Sequence, residues 1–332
     1  MRISDVLSHE PRVKPHRRTL PLRVGTRGSP LALAQTRAFQ AQLSRFCPVL
    51  DAMNVFEEHI ITTTGDRVQD KRLAEIGGKG LFSKEIHEAL ADGRIDFAVH
   101  SLKDLETELP PGIVLACTLK REDARDVLIL GDGLDRPDPL DPYASLPAGA
   151  IIGSASVRRQ AQLLHARPDL TVRMIRGNVQ TRLNRVKAGE FDGSLLAFAG
   201  LRRLGLAHEA AVVIAPEIMV PAAGQGIVGV TVRADDVELC ELLSAIEDPD
   251  ARAVSLAERG LLAALDGSCR TPIGGYARIC NGELHLTGLV AREDGSFLLR
   301  AESRGNPRDA EALGRSLGDE LRGQSPADIF LD

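Results

Sequence analysis

The amino-acid sequence predicts an α/β protein of three domains, the first two built on one plan and the third a small α+β domain with an antiparallel sheet. Strand-like and helix-like segments alternate from Leu22 onwards, which implies mainly parallel sheets covered by helices. The stretch "VGTRGSPLALAQ" is echoed from Ile152 by "IGSASVRRQAQL", each reading strand, glycine, hydroxyl residues, helix. Towards the C-terminus, Asn281-Gly282 and Asp294-Gly295 interrupt alternating residues, and both pairs are strong hairpin signals. A chain of 332 residues exceeds one ordinary core and has room for two or three. The expected layout is a mobile tail over residues 1–20, a first domain over 21–122 completed by 224–244, a second over 123–223 and a third over 245–332.

The elements follow in order. "LRVGTR" reads as a strand, and Ser29-Pro30 opens the helix "SPLALAQTRAFQAQLSRF", since a serine cap followed by proline needs no N–H at the first helical position. A strand "VFEEHIITT", a helix "LFSKEIHEALADG" and a strand "DFAVHS" come next, and "IVLACTL" is an apolar strand. "LADGRIDFAVHSLKDL" has its own echo in "VKAGEFDGSLLAFAGL", which strengthens the reading of two like-built domains whose strand-to-helix turns face each other. "GIVGVTVRADD" is strand-like again, Asp248-Pro249 starts the helix "PDARAVSLAERGLLAALDG", and "NPRDAEALGRSLGDELRG" closes the chain as a helix.

Composition narrows the function. With 43% apolar and 26% charged residues, the chain is that of a soluble globular protein, and no apolar run approaches membrane-crossing length. A net charge of −5 argues against a nucleic-acid binder, and 3% aromatic residues without tryptophan argue against base or sugar stacking. Five cysteines without regular spacing fit a reducing cytoplasm rather than a disulfide framework. No C-x-x-C or H-E-x-x-H occurs, so no metal is expected. A monomer is the expected state, as no heptad pattern calls for a partner helix.

Although the chain is acidic overall, its arginines gather at strand-to-helix turns. Arg27 precedes Ser29; Ser154, Ser156, Arg158 and Arg159 open another helix; Arg176 precedes "GNVQTRL", where Asn178 caps and Arg182 lies one turn on. Helix N-termini offer free N–H groups and a positive dipole end, which guanidiniums and hydroxyls complete as a carboxylate or phosphate site. "GGKG" at Gly77 to Gly80 lacks the spacing of a nucleotide phosphate loop. "VHSLKD" brings His100, Ser101, Lys103 and Asp104 to a strand end at the edge of the same cleft. Read alone, Asp104 would be a surface carboxylate paired with Lys103 or Arg121.

One thiol stands apart. Cys269 lies in "LDGSCRTPIGGYA" beside Gly267, Gly274 and Gly275, and glycines leave a loop open to a ligand. Cys117 and Cys240 read as core residues, while Cys47 and Cys280 fall at element ends. Cys269 is the candidate for covalent chemistry.

Taken in order, "GTRGSPLALAQ", "GGKGLFSKE", "DFAVHSLKDL", "REDARDVLI", "IGSASVRRQAQL", "RGNVQTRL", "AGLRRLGL", "PAAGQGIVGV" and "GSCRTPIGGYA" closely resemble the motifs of the porphobilinogen deaminase (hydroxymethylbilane synthase) family of tetrapyrrole-pathway enzymes. The resemblance implies that the first two domains are similar to type II periplasmic binding proteins. It implies a cytoplasmic transferase that joins four porphobilinogen units head to tail into hydroxymethylbilane, releasing ammonia from each. The starting point it implies is a dipyrromethane cofactor held by a thioether on Cys269, with Asp104 as the catalytic aspartate. By the same resemblance, Arg27, Ser29, Lys79, Ser101, Lys103, Ser154, Ser156, Arg158, Arg159, Arg176, Arg182 and Arg203 hold cofactor and substrate. A cover over the cleft from residues 57–80 and product hand-off to the next pathway enzyme are further expectations. Glu106 and Ala124 stand where many members have proline, Ser268 where glycine is common, and Glu75 where some have lysine. The competing reading of the arginine turns is a non-catalytic small-anion-binding protein of two-lobed architecture, which leaves the glycine-set thiol and the third domain without a reason.

Overall fold

The computed structural model describes residues 20–50, 55–68, 80–265 and 271–330. Cys269, Ser268, Lys79 and Glu75, most of the expected tail and residues 69–79 of the expected cover lie outside the described residues.

The first sheet and its helices are β1 (Leu22–Thr26), α1 (Pro30–Phe46), β2 (Phe56–Ile60), the single turn α2 (Thr64–Arg67), α3 (Lys84–Ala91), β3 (Phe97–Ser101) and β4 (Ile113–Thr118). The second comprises β5 (Asp126–Leu130), β6 (Ile151–Gly153), α4 (Val157–Ala166), β7 (Thr171–Arg173), α5 (Val179–Lys187), β8 (Gly193–Ala197), α6 (Phe198–Arg203) and β9 (Val212–Val213). The chain then returns to the first sheet as β10 (Val228–Arg233), followed by α7 (Val237–Ser244) and α8 (Pro249–Ala264). Strands β11 (Ile273–Cys280), β12 (Glu283–Ala291) and β13 (Leu298–Gly305), then helix α9 (Ala310–Gln324), complete it.

The echo seen in sequence is an echo of topology. The first sheet runs β2-β1-β3-β10-β4 and the second β7-β6-β8-β5-β9. In each, the first three strands are parallel and the fourth is antiparallel to both neighbours. That fourth strand is reached across the gap each time: β5 by the chain leaving the first sheet, β10 by the chain leaving the second. Central strands buried on both faces favour mainly apolar sequences, and "VLIL" of β5 and "VGV" of β10 are of that kind.

Local signals set the helix starts. Ser29, Ser156, Asn178 and Asp248 each accept a hydrogen bond from the first turn of the helix they cap, with proline next in α1 and α8. Asn281 and Gly282 adopt φ of 52° and 79°, the left-handed pair that a two-residue hairpin between β11 and β12 requires. The third sheet, β11-β12-β13, is antiparallel throughout. Helices α8 and α9 pack on it closely, because a Cβ at Gly314 would strike the Ala257 carbonyl.

The core of this third part reaches back to the cleft. Leu102, Leu105 and Ile227 join Leu261, Leu286 and Leu317 in one buried cluster. Each such leucine is worth about 1.5–3 kcal/mol of burial, so the turn between Leu102 and Leu105 is pinned from below. Lys103 and Asp104 lie on that turn.

Candidate active site

At the end of β1, Thr26 is buried and bonded to Thr36 of α1 at 2.8 Å. Arg27 follows, and Ser29 caps α1 by accepting from Ala32 N at 3.2 Å. The Arg27 guanidinium lies 4.1 Å over the Phe82 ring, donates to Asp66 through Nη2 at 2.5 Å, and reaches Asp104 Oδ2 at 3.5 Å. Burial works against the Asp66 charge, yet Arg27 and Thr63 hold its carboxyl below the ordinary range. At the end of β3, Ser101 lies on Gln35 of α1, its Oγ 3.0 Å from Nε2. A 3₁₀ turn, Leu102–Asp104, then presents Lys103 and Asp104. Arg27, Ser29, Phe82, Ser101, Lys103 and Asp104 line one cavity. The partner of Asp104 is thus Arg27, while Arg121 is taken by Glu258 at 2.6 Å.

The second sheet supplies the facing wall. After β6, Ser154 Oγ accepts from Ser156 N at 3.1 Å, and Ser156 Oγ accepts from Arg159 N at 3.4 Å. Arg158 and Arg159, in the first turn of α4, converge on Asp126 at the head of β5, at 2.7 and 2.8 Å. Asp126 is fully buried; burial alone would raise its carboxyl, but Arg158 and Arg159 outweigh that and hold it well below the usual carboxylate range. Gln225 Nε2 also donates to Asp126 at 2.8 Å, and Lys103 Nζ donates to Gln225 Oε1 at 3.3 Å.

Arg176, beyond β7, donates to the Gly65 carbonyl of α2 at 2.9 Å, bridging the two walls. Arg182 donates to Gly177 O at 2.9 Å, and burial together with Arg159 and Arg176 pushes it down to about 10, against the opposing pull of Asp104. Lys103 is pushed down to about 8 by the protein packed around it and by Arg159. Water still reaches its side chain from the cleft, so screening limits this shift while the cleft is open. His100, by contrast, is buried on Thr231 at 2.8 Å and pushed down to about 3 by burial. It is neutral at physiological pH and serves as a wall rather than a proton donor.

Arg27, Ser29, Ser101, Lys103, Asp104, Arg176 and Arg182 are therefore gathered at facing strand ends. Arg158 and Arg159 are instead buried behind that surface, Arg158 with Nη1 on Asp126 and the Val220 carbonyl, Arg159 with Nη1 on the Leu195 carbonyl and Nη2 on Asp126. Arg203 is tied to the returning chain through Gly226 O at 2.7 Å. Among the described residues in and directly behind the cleft, the cations Arg27, Lys103, Arg158, Arg159, Arg176 and Arg182 outnumber the carboxylates Asp66, Asp104 and Asp126, a surplus of positive charge that suits a polyanion. Phe82, Asp126 and Gln225 went unremarked in the sequence although they stand inside "GGKGLFSKE", "REDARDVLI" and "PAAGQGIVGV". A charged residue heading an otherwise apolar strand was the available signal for Asp126. Asp66 carried none.

Two like-built sheets meeting over a cationic cleft, with an α+β part bracing its floor, define a two-lobed α/β protein whose cleft sets the Asp104 carboxylate among arginines and a lysine. Residues 22–241 match the family model described as porphobilinogen deaminase, dipyromethane cofactor binding domain, and residues 253–323 match the porphobilinogen deaminase C-terminal domain. Relatives named porphobilinogen deaminase from Paracoccus denitrificans and Sorangium cellulosum are each 47% identical, over 93% and 91% of this chain and 96% and 98% of theirs. The chain belongs to the porphobilinogen deaminase family and is an enzyme, a transferase of the tetrapyrrole pathway, rather than a non-catalytic anion binder. Among solved structures, the VFT2 domain of Bordetella pertussis BvgS covers 71% of this chain and 91% of its own at 13% identity, with a TM-score of 0.39. An arginine-specific periplasmic binding protein of Salmonella typhimurium covers 70% and 93% at 12% identity, with a TM-score of 0.36. Among the described residues no helix is long and apolar enough to cross a membrane.

Proposed function

We propose that this chain joins four porphobilinogen molecules head to tail into hydroxymethylbilane, growing them from a dipyrromethane linked by a thioether to Cys269. The observation that carries the reading is the surplus of cations gathered around Asp104, which lies 3.5 Å from Arg27. A dipyrromethane brings an acetate and a propionate on each ring, and the donor set fits it: guanidiniums and a lysine for carboxylates, hydroxyls for the remaining oxygens. Arg27, Ser29, Lys79, Ser101, Lys103, Ser154, Ser156, Arg158, Arg159, Arg176, Arg182 and Arg203 would hold it and the units added. When bound, it supplies the free pyrrole α-carbon from which growth starts.

The residues of the chain do the rest. For each unit added, the aminomethyl C–N bond of porphobilinogen breaks with its electron pair leaving on ammonia. A C–C bond forms to the new methylene carbon, and the hydrogen of the attacking α-carbon leaves as a proton. Release of the finished tetrapyrrole takes up one water. Positive charge spreads over a pyrrole ring in these steps. Asp104, placed on a turn pinned by Leu102 and Leu105, accepts from the pyrrole N–H and stabilises that charge where it develops. The arginines and Lys103 fix the ring by its carboxylates, so the reacting carbons meet without a further loss of freedom.

Intact mass under denaturing conditions tests the reading. The wild type is expected to exceed its chain mass by a dipyrromethane, and Cys269→Ala to show chain mass alone. Wild-type protein that stays at chain mass after incubation with porphobilinogen would reject the covalent primer.

A further inference from the structure

The returning chain between β9 and β10 carries Gln225 into the centre of the molecule, where its side chain is wholly buried. Its Nε2 donates to the Ala124 carbonyl at 2.7 Å and to Asp126 Oδ1 at 2.8 Å. Both are acceptors, so the amide has one orientation only, and Oε1 faces Lys103 Nζ at 3.3 Å. The same Asp126 oxygen receives Arg159 Nη2 at 2.8 Å. Arg121 Nε fixes the Gln225 backbone through its carbonyl at 2.8 Å. On either side, Gly224 and Gly226 take φ of 73° and 87°, and a Cβ at Gly224 would come within 3.0 Å of Lys103 N. Neither the backbone nor the amide has room to turn.

We propose that Gln225 is the positioning residue of Lys103, joining this cation of the first sheet to the Asp126–Arg158–Arg159 cluster of the second and leaving its charge unspent for a substrate carboxylate. An amide meets both demands at once, offering an acceptor to the lysine and a donor to the aspartate. A glutamate in its place would neutralise Lys103 and set a second negative charge against Asp126. A methionine would fill the space and hold neither. The inference rests on the assignment of Lys103 to substrate carboxylates made above. The charged groups acting on Lys103 are Arg159 and Arg158, which oppose its charge, and Asp104 and Asp126, which favour it.

The test uses the full-length holoenzyme with Gln225→Glu, Gln225→Met and Lys103→Met. Competitive acetylation across pH, read by peptide mass, gives the titration midpoint of Lys103 without recourse to activity. Gln225→Glu is expected to raise that midpoint by about 1 pH unit or more and to raise KM for porphobilinogen about tenfold or more, as loss of a charge-assisted contact does. An unchanged midpoint in folded Gln225→Glu overturns the proposal, as does a Gln225→Met whose only defect is a lower unfolding midpoint. Should Gln225→Glu fail to fold, the side-chain amide resonances of Gln225 in wild type replace it: they must shift with the Lys103 titration and lose that shift in Lys103→Met, and invariance overturns the proposal. If the midpoint moves but Lys103→Met leaves KM unaltered, the positioning stands and the assignment of Lys103 to substrate falls.

Discussion

Asp126 and Glu258 are both fully buried carboxylates resting on arginine, yet their acidities are driven in opposite directions. Burial pushes each upward. At Asp126, two guanidiniums in direct contact and the Gln225 amide overcome that push. At Glu258 there is one guanidinium, Arg121, with the Gly224 and Ala277 backbone N–H groups at 2.6 and 2.7 Å, and burial prevails. The difference is one of charge balance. Glu258 and Arg121 match one to one and clasp the returning chain, α8 and β11 together. Asp126 is outnumbered two to one by Arg158 and Arg159, which leaves one positive charge over in the second lobe beside the cleft. Surplus marks the site here, and balance marks the framework.

Breaking each carboxylate should separate these roles. Asp126→Asn strands two buried guanidiniums and is expected to cost about 3–5 kcal/mol in denaturant unfolding. Because its folded pKa lies below the unfolded value of about 3.9, the contribution of Asp126 is present above pH ~4 and lost as pH falls further. The stability gap between wild type and Asp126→Asn should therefore widen as pH rises from about 2 to 4.

Asp104→Asn sharpens the contrast from the side of chemistry, since it adds to the surplus without touching the framework. Ammonia release from porphobilinogen should fall about 10²–10³-fold, as when one preorganised charge partner is removed, with the unfolding midpoint unchanged. Near-normal turnover would reject the role given to Asp104.

Glu258→Gln keeps the shape and loses the match to Arg121, at an expected cost of about 1.5–3 kcal/mol. Here the pH dependence reverses. A folded pKa above the unfolded value gives a contribution that is full below pH ~4.3 and declines as pH rises through the folded pKa. The gap to wild type should narrow over that range, opposite to Asp126→Asn, and equal pH slopes for the two variants would break the comparison. Smallest of all is Arg37→Ala, which removes a balanced but solvent-exposed pair with Glu58 at 3.1 Å. It should leave the denaturant unfolding midpoint unchanged, because water and salt screen an exposed pair.

What could be read from the sequence was local. Ser29-Pro30, Asp248-Pro249 and Asn281-Gly282 announce their caps and turn within four residues, and each formed as read. Boundaries that depend on neighbours shifted: "VFEEHIITT" reads as strand to Thr63, but Thr63 instead caps α2 with Asp66, and α3 begins at Lys84 rather than Leu81. The partners of charges were hidden for the same reason. Arg158 and Arg159 were legible as a helix start, while Asp126 lies 32 and 33 residues away, and Arg121 finds Glu258 across 137. Periodicity says which face a residue takes, and only the crossing of the chain between sheets says what stands opposite. The glycine-set Cys269, the most telling residue in the sequence, lies outside the described residues.

The exchange of fourth strands has a consequence in time as well as in space. During synthesis β3 and β4 emerge early, but the strand that belongs between them, β10, ends only at Arg233. At about 5–20 residues per second, the first lobe waits on the order of ten seconds with a gap in the middle of its sheet. Two unpaired edges are a template for the wrong partner during that interval. The lobe that is begun first is thus finished last, and any truncation ending in the second lobe leaves the first one open as well.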